Sequence, residues 1–188
     1  MKQGDFTMRI RSAAPADAAA LLAIYAPYVR DTAVTFEYDV PTEPEFSRRI
    51  EETLEKYPYL VLEDRGEIRG YACAGPFKGR AAYDWAVETT VYISRDAHGR
   101  GYGKVLYTAL EEELKRRGFL NAYACIAYSE KEDETLTHAS PRFHEAMGYR
   151  LCGTFRKCGY KFGKWYDMIW MEKMLGEHIS PARYPMLR

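Results

Sequence analysis

The chain has no run of 18 consecutive apolar residues, so its sequence offers no membrane-spanning helix. Its first residues, MKQGDFTMRIRS, lack the apolar centre of a secretory leader. Neither sign of charge is in excess. Lys plus Arg equals Asp plus Glu at 27 each, which argues against a general nucleic-acid binder. The four cysteines, Cys73, Cys125, Cys152 and Cys158, form no C-x-x-C pair. They read as reduced, buried thiols of a cytoplasmic protein. His98, His138, His144 and His178 show no H-E-x-x-H spacing, so no metal is expected. No repeat and no linker divides the chain.

What is present is a 188-residue chain, 47% hydrophobic, long enough to bury a core without staples. Residues 8–13 read as a short strand, and Pro15 opens a helix striped by Leu21, Leu22, Tyr25, Tyr28 and Val29. Residues 34–39 read as short and extended. Thr42 and Glu45 have capping-box spacing ahead of a helix carrying Phe46, Ile50 and Leu54. YLVLED (59–64) and IRGYACAGPF (68–77) form a hairpin around RGE, and WAVETTVYIS (85–94) is a further strand. A helix follows over about 102–117 with Leu106, Leu110 and Leu114 on one face. Glu111–Lys115, Glu112–Arg116 and Glu113–Arg117 then read as pairs on a solvated face. Gly118 caps that helix, 120–128 is a strand, 129–138 an acidic loop and 140–148 a short helix. Two strands complete the order, and 176–188 has no pattern. The class is α+β, with a mainly antiparallel sheet and a parallel crossover around 85–128.

The glycines of HGRGYGK (98–104) ask for a ligand. The spacing is wrong for a Walker A loop, because three residues separate Gly99 from Gly103 and Val105 follows Lys104. It is also wrong for the dinucleotide G-x-G-x-x-G. Yet the physics is shared: the start of a helix presents unpaired N–H groups and partial positive charge, and glycine lets an anion approach them. Arg100 and Lys104 add full charge. A pyrophosphate is the candidate ligand, with a tight strand-to-helix connection as the plain alternative.

HGRGYG resembles the [QR]-x-x-G-x-[GA] pyrophosphate loop of the GNAT superfamily of acyl-CoA N-acetyltransferases, with His98 in place of the usual Gln or Arg. TFE (35–37), AGPFKGRAAYDWAVETTVYIS (74–94), FHEAMGY (143–149) and GYKFGKWYD (159–167) are together similar to its phosphinothricin and methionine sulfoximine acetyltransferase subgroup. The resemblance spans roughly residues 8–175, leaving 1–7 as an extension and 176–188 as a tail. It implies a GNAT-like acyltransferase fold. It further implies acetyl-CoA paired with the backbone of Val91, Tyr92 and Ile93, its pyrophosphate on Gly99, Arg100, Gly101, Tyr102, Gly103 and Lys104, and a contact from Ser140. Thr137 stands where the subgroup has a CoA-contacting Asn, after a longer acidic loop.

Acetylating an amine requires removing a proton from an ammonium of pKa near ~10 and protonating a departing thiolate of pKa near ~8.5. Glu88, inside an apolar strand, is the candidate base, since burial raises a carboxyl pKa. An outward-facing strand glutamate is the competing reading. The resemblance gives Glu88 the role of catalytic carboxylate. His144 reads from sequence as a core or surface histidine, and by resemblance as a catalytic group, either acid to the sulfur or helper of Glu88 through water. By resemblance too, Lys78, Arg80 and Tyr83 face the acceptor, Phe36 and Glu37 wall its pocket, and Tyr160 and Trp165 contribute from the same or a second subunit. The expected activity is direct acetyl transfer to the primary amine of a small amino-acid-like molecule by a homodimer. A peptide or protein N-terminal acetyltransferase and a non-catalytic acyl-CoA sensor are the alternatives.

Overall fold

The computed structural model describes residues 8–186; the extension 1–7 and residues 187–188 lie outside the described part. The element order is β1 (Arg9–Ser12), α1 (Ala18–Asp31), α2 (Glu43–Leu54), β2 (Tyr59–Asp64), β3 (Glu67–Pro76), β4 (Ala86–Ile93), α3 (Tyr102–Arg117), β5 (Asn121–Tyr128), α4 (Ala139–Ala146), β6 (Arg150–Lys161) and β7 (Lys164–Met174). The strands form a seven-stranded sheet in the order β1-β2-β3-β4-β5-β7-β6. All neighbours are antiparallel except β4 and β5, which α3 joins as a parallel crossover.

Each face of the sheet carries its own core. Leu106, Leu110 and Leu114 of α3 are fully buried against Leu62, Ala72 and Val87. Each such side chain contributes about 1.5–3 kcal/mol by leaving water. On the opposite face α1 and α2 bury Leu21, Val29, Phe46 and Ile50 against Val61 and Tyr71. The Thr42 hydroxyl caps α2 by accepting from the Glu45 N–H. A third, smaller cluster joins Ala33, Ala127, Leu136 and Tyr166, with Phe36 packed on it.

Four local expectations are corrected. Residues 34–39 form no strand. Their backbone is held by side chains, not by a neighbouring strand: the Thr35 carbonyl accepts from Lys161 Nζ at 2.8 Å, and the Glu37 N–H donates to the Thr35 hydroxyl at 3.3 Å. Glu111 is not on a solvated face. It is 4% exposed and pairs with Lys173 Nζ at 2.6 Å, tying α3 to β7. Arg116 pairs with Glu113 rather than Glu112, and Arg117 shares that carboxylate. Cys152 and Cys158 are exposed, because β6 is an edge strand; Cys73 and Cys125 are partly buried. The patternless tail packs across the base of the sheet: Trp85 Nε1 donates to the Arg183 carbonyl at 2.7 Å and the Tyr184 ring lies on Trp85.

Candidate active site

The sheet splits between its two parallel strands. Pairing runs Ala86–Asn121, Val87–Ala122, Glu88–Tyr123 and stops, although β4 continues to Ile93 and β5 to Tyr128. Beyond that vertex each strand keeps only its outer partner, β3 or β7. The inner edges of residues 89–92 and 124–127 then line a small cavity of about 80 Å³, with Ser140 and His144 of α4 against it. An open strand edge presents N–H and C=O groups to any ligand that carries amides.

The small cavity adjoins a cleft of about 770 Å³, since Val91, Tyr92, Leu136 and Ser140 line both. Val91, Tyr92, Ile93, Gly99, Gly101, Tyr102, Gly103, Lys104 and Ser140, all expected at a cofactor, line this cleft; Arg100 is exposed outside it. Gly99 and Gly101 sit at φ +76° and +80°, and Gly101 is the N-cap of α3, so the turn delivers the chain into the helix through left-handed backbone. A Cβ on either would meet nothing within 4 Å, so what the conformation excludes is strain and what the missing side chains leave is approach to backbone N–H groups. The first turn of α3 carries Lys104 and no acid, which keeps the helix start positive.

Ile93's carbonyl already accepts from the Tyr28 hydroxyl at 2.6 Å, and His98 Nε2 reaches that hydroxyl at 2.8 Å. His98 therefore braces the loop where it lines the cleft. The acidic loop forms the opposite wall. Asp133 accepts from the backbone N–H of Thr135 and Leu136, pairs with Lys164 at 2.9 Å, and is held well below the usual carboxylate range by these donors, the Thr135 hydroxyl first. Leu136 is thereby buried, and Thr137 lines the cleft in the position expected for Asn.

Glu88 lies at the vertex. Its carboxylate is half-buried and makes no hydrogen bond or ion pair with a described residue. Desolvation raises its pKa, and the ammonium of Lys78 partly opposes the rise. Side chains alternate along β4, so Glu88 and Tyr92 point to the α1–α2 face while Val87 and Thr89 point to α3. Near Glu88, Phe77 stacks on Tyr123 at 4.2 Å, Tyr83 meets Phe77 edge-on at 5.9 Å, and the Lys78 ammonium lies over Phe77 and Trp170 at 5.0 and 5.2 Å. Arg80 and Tyr83 are exposed. Phe36, Glu37, Lys78, Arg80 and Tyr83 do not line the two cavities; Lys78 is exposed like Arg80 and Tyr83, and Phe36 and Glu37 are partly buried.

His144 is a core residue by burial, at 4% exposed, and also a member of a polar chain that sequence reasoning missed. Its Nδ1 lies 2.8 Å from the Ser140 carbonyl, which can only accept, so Nδ1 carries the proton. Nε2 then accepts from the Tyr107 hydroxyl at 3.0 Å. Tyr107 meets the Thr89 hydroxyl at 2.6 Å, and Thr89 reaches the Tyr123 carbonyl at 3.0 Å, beside the vertex. Burial lowers the His144 pKa, with its Ser140 bond opposing, so the ring is neutral at pH 7. The available signal was a tyrosine within the apolar stripe of α3, whose buried hydroxyl needs a partner. Glu88 and His144 share no hydrogen bond. Among the described residues no group of three or more His, Cys, Asp or Glu could hold a metal, and no helix is long and apolar enough to cross a membrane.

The family model described as Acetyltransferase (GNAT) domain matches residues 10–170. The chain is 39% identical over 161 residues to a phosphinothricin N-acetyltransferase of Streptomyces viridochromogenes, covering 86% of this chain and 84% of that one. It is 32% identical to an L-methionine sulfoximine/L-methionine sulfone acetyltransferase of Salmonella typhimurium, covering 93% and 98%. Among solved structures, a GNAT superfamily phosphinothricin acetyltransferase from Sinorhizobium meliloti in complex with AcCoA superposes with a TM-score of 0.84, at 32% identity, over 96% of this chain and 97% of that one.

Proposed function

Because the chain belongs to the GNAT acetyltransferase family, we propose that it transfers the acetyl group of acetyl-CoA to the primary amine of a small amino-acid-like acceptor. Phosphinothricin, methionine sulfoximine and methionine sulfone define the acceptor type, on which the relatives named above act. The observation that carries the reading is the split between β4 and β5, with a glycine-rich helix start at one end and an unpaired, desolvated carboxylate at its vertex.

The cleft suits acetyl-CoA in size, in its open strand edge and in the bare backbone at Gly99 and Gly101. Acetyl-CoA supplies an acyl group activated as a thioester. Glu88 is the base: it takes a proton from the acceptor ammonium, and its raised pKa makes it better matched to that task than an ordinary carboxylate. The freed amine forms the C–N bond at the thioester carbonyl, the C–S bond breaks, and the electron pair leaves on sulfur. The attacking nitrogen's second proton passes to the departing sulfur, and His144, which lines the small cavity and is held in place by the buried Tyr107 hydroxyl, is the group placed to carry it. Cys73 and Cys125 flank Glu88, but burial pushes both thiols up to about 12, which disfavours the thiolate an acetyl-enzyme would need. Transfer is therefore direct.

Lys78, Arg80 and Tyr83 meet the acceptor's acidic group, for which the planar fork of arginine is suited. Phe36 and Glu37 wall the site. The protein acts as a homodimer, a reading supported by the exposed apolar side chains Leu151, Phe155, Tyr160 and Trp165 on β6 and β7 and by the exposure of Lys78, Arg80 and Tyr83. Its four free thiols suit the cytoplasm. A thiol-release assay with acetyl-CoA and a panel of methionine sulfone, methionine sulfoximine, phosphinothricin, free amino acids and short peptides tests the proposal. Turnover with the amino-acid analogues is expected. Turnover with peptides alone would replace the acceptor class, and tight acetyl-CoA binding without turnover would favour a sensor.

A further inference from the structure

Lys161, at the end of β6, has no part in the chemistry above, yet it is only 3% exposed. Its ammonium donates to three backbone carbonyls, those of Val29 at 2.8 Å, Thr32 at 2.9 Å and Thr35 at 2.8 Å. A lysine has three N–H donors, and all three are used. The Val29 carbonyl belongs to the last turn of α1 and that of Thr32 to its C-cap, where acceptors lack helical partners and a cation is favoured. The third carbonyl belongs to Thr35, directly before Phe36 and Glu37.

The two preceding residues of β6 hold the same segment. Gly159 is buried, and a Cβ there would fall 2.3 Å from the Phe36 ring, well inside any allowed contact. The ring thus lies flat on a strand backbone that only glycine leaves bare. The Tyr38 hydroxyl donates to the Tyr160 carbonyl. Glu37 itself is gripped from the other side by Arg49 at 2.7 Å. Three consecutive residues of β6 therefore set the course of residues 32–38, a segment with no regular structure of its own.

We propose that Gly159 and Lys161 are positioning residues for the acceptor: the end of β6 is a template that fixes where Phe36 and Glu37 stand, and so which amine fits. This rests on the reading that Phe36 and Glu37 wall the acceptor site. Thr32 and Val34 of this segment also line the cofactor cleft, but Gly159 bears on the Phe36 ring alone, and that ring does not line the cleft, so a change at Gly159 should act on the acceptor only.

Steady-state kinetics with methionine sulfone and acetyl-CoA on Gly159→Ala, Phe36→Ala and the double variant test it. Gly159→Ala should raise the KM for methionine sulfone roughly tenfold or more, as a displacement of about an ångström can do, and leave the KM for acetyl-CoA within about twofold. The double variant should be no worse than Phe36→Ala, since Gly159 acts through that ring. Lys161→Met, if it folds by its melting curve, should raise the same KM. Equal rises in both KM values, or additive effects in the double variant, would overturn the proposal. So would a silent Gly159→Ala beside a damaging Phe36→Ala, which leaves the acceptor site standing. A silent Phe36→Ala would remove the proposal together with its premise.

Discussion

The two ends of the proposed site are built by different means. The wall of the proposed cofactor end that carries the glycine loop is one continuous stretch, residues 91–104, and offers mainly backbone: a free strand edge, two left-handed glycines and a helix start. The proposed acceptor end is gathered from residues 36–37 and 78–83, aimed by 159–161, and offers side chains. Groups supplied by backbone depend on conformation and should tolerate changes of side chain, which is the expectation for His98 in a loop that resembles one with Gln or Arg. Groups supplied by side chains depend on identity and on the remote elements that aim them.

The largest effect should come from the vertex, where the two ends meet. Glu88→Gln should lower kcat by about 10²–10⁴, the range for loss of a general base, with the acetyl-CoA dissociation constant unchanged. In the wild-type protein kcat/KM should rise with pH through an inflection above the ordinary carboxylate value of 4.5, and that inflection should vanish in the variant. Loss of acetyl-CoA binding instead would assign Glu88 to the cofactor end. Tyr107→Phe removes the hydroxyl from His144 Nε2 and should lower kcat by roughly tenfold to a hundredfold, with both KM values nearly kept. A change confined to thermal stability would reduce that chain to core packing.

At the cofactor end, Gly101→Ala forces a Cβ into left-handed backbone at about 1–2 kcal/mol, so the KM for acetyl-CoA should rise roughly five- to thirtyfold while the acceptor KM holds. His98→Gln should move it by no more than about threefold, since backbone carries the site. The reverse order would break the contrast between the ends. The smallest effect is on stability. A carboxyl whose folded pKa is raised keeps a proton that the unfolded chain has lost, so the fold loses stability as pH climbs from the ordinary value through the raised one. Glu88→Gln removes this cost. Its melting temperature should exceed the wild type's at pH 7 and match it below about pH 4, near the ordinary carboxylate value. Calorimetry across pH checks this.

The same contrast governs what was legible in the sequence. The α3 helix was readable to its ends, because Leu106, Leu110 and Leu114 repeat at helical spacing between Gly101 and Gly118, both local signals. The hairpin of β2 and β3, the Thr42 cap and the glycine loop were equally local. What stayed hidden depends on partners far along the chain. Glu111 has an apparent partner four residues on, yet bonds Lys173 across the fold. Residues 34–39 have strand composition, but Lys161 takes the Thr35 carbonyl. The opening of the sheet after Glu88 lies between two strands that stay paired to β3 and β7 on their outer sides, an arrangement that no window of sequence contains. Tyr107 and Thr89 read as ordinary helix and strand residues until the fold brings them to His144.

Direct transfer between two substrates held in one cleft is the claim on which the rest depends, and Cys125, which lines the small cavity, is its natural rival. Intact-mass analysis of protein quenched at intervals during turnover of acetyl-CoA and methionine sulfone addresses it most directly. Unmodified protein at every time point, with product only when both substrates are present, is the predicted result. An acetyl group on Cys125 or Cys73 that appears before product and decays as product forms would contradict the account.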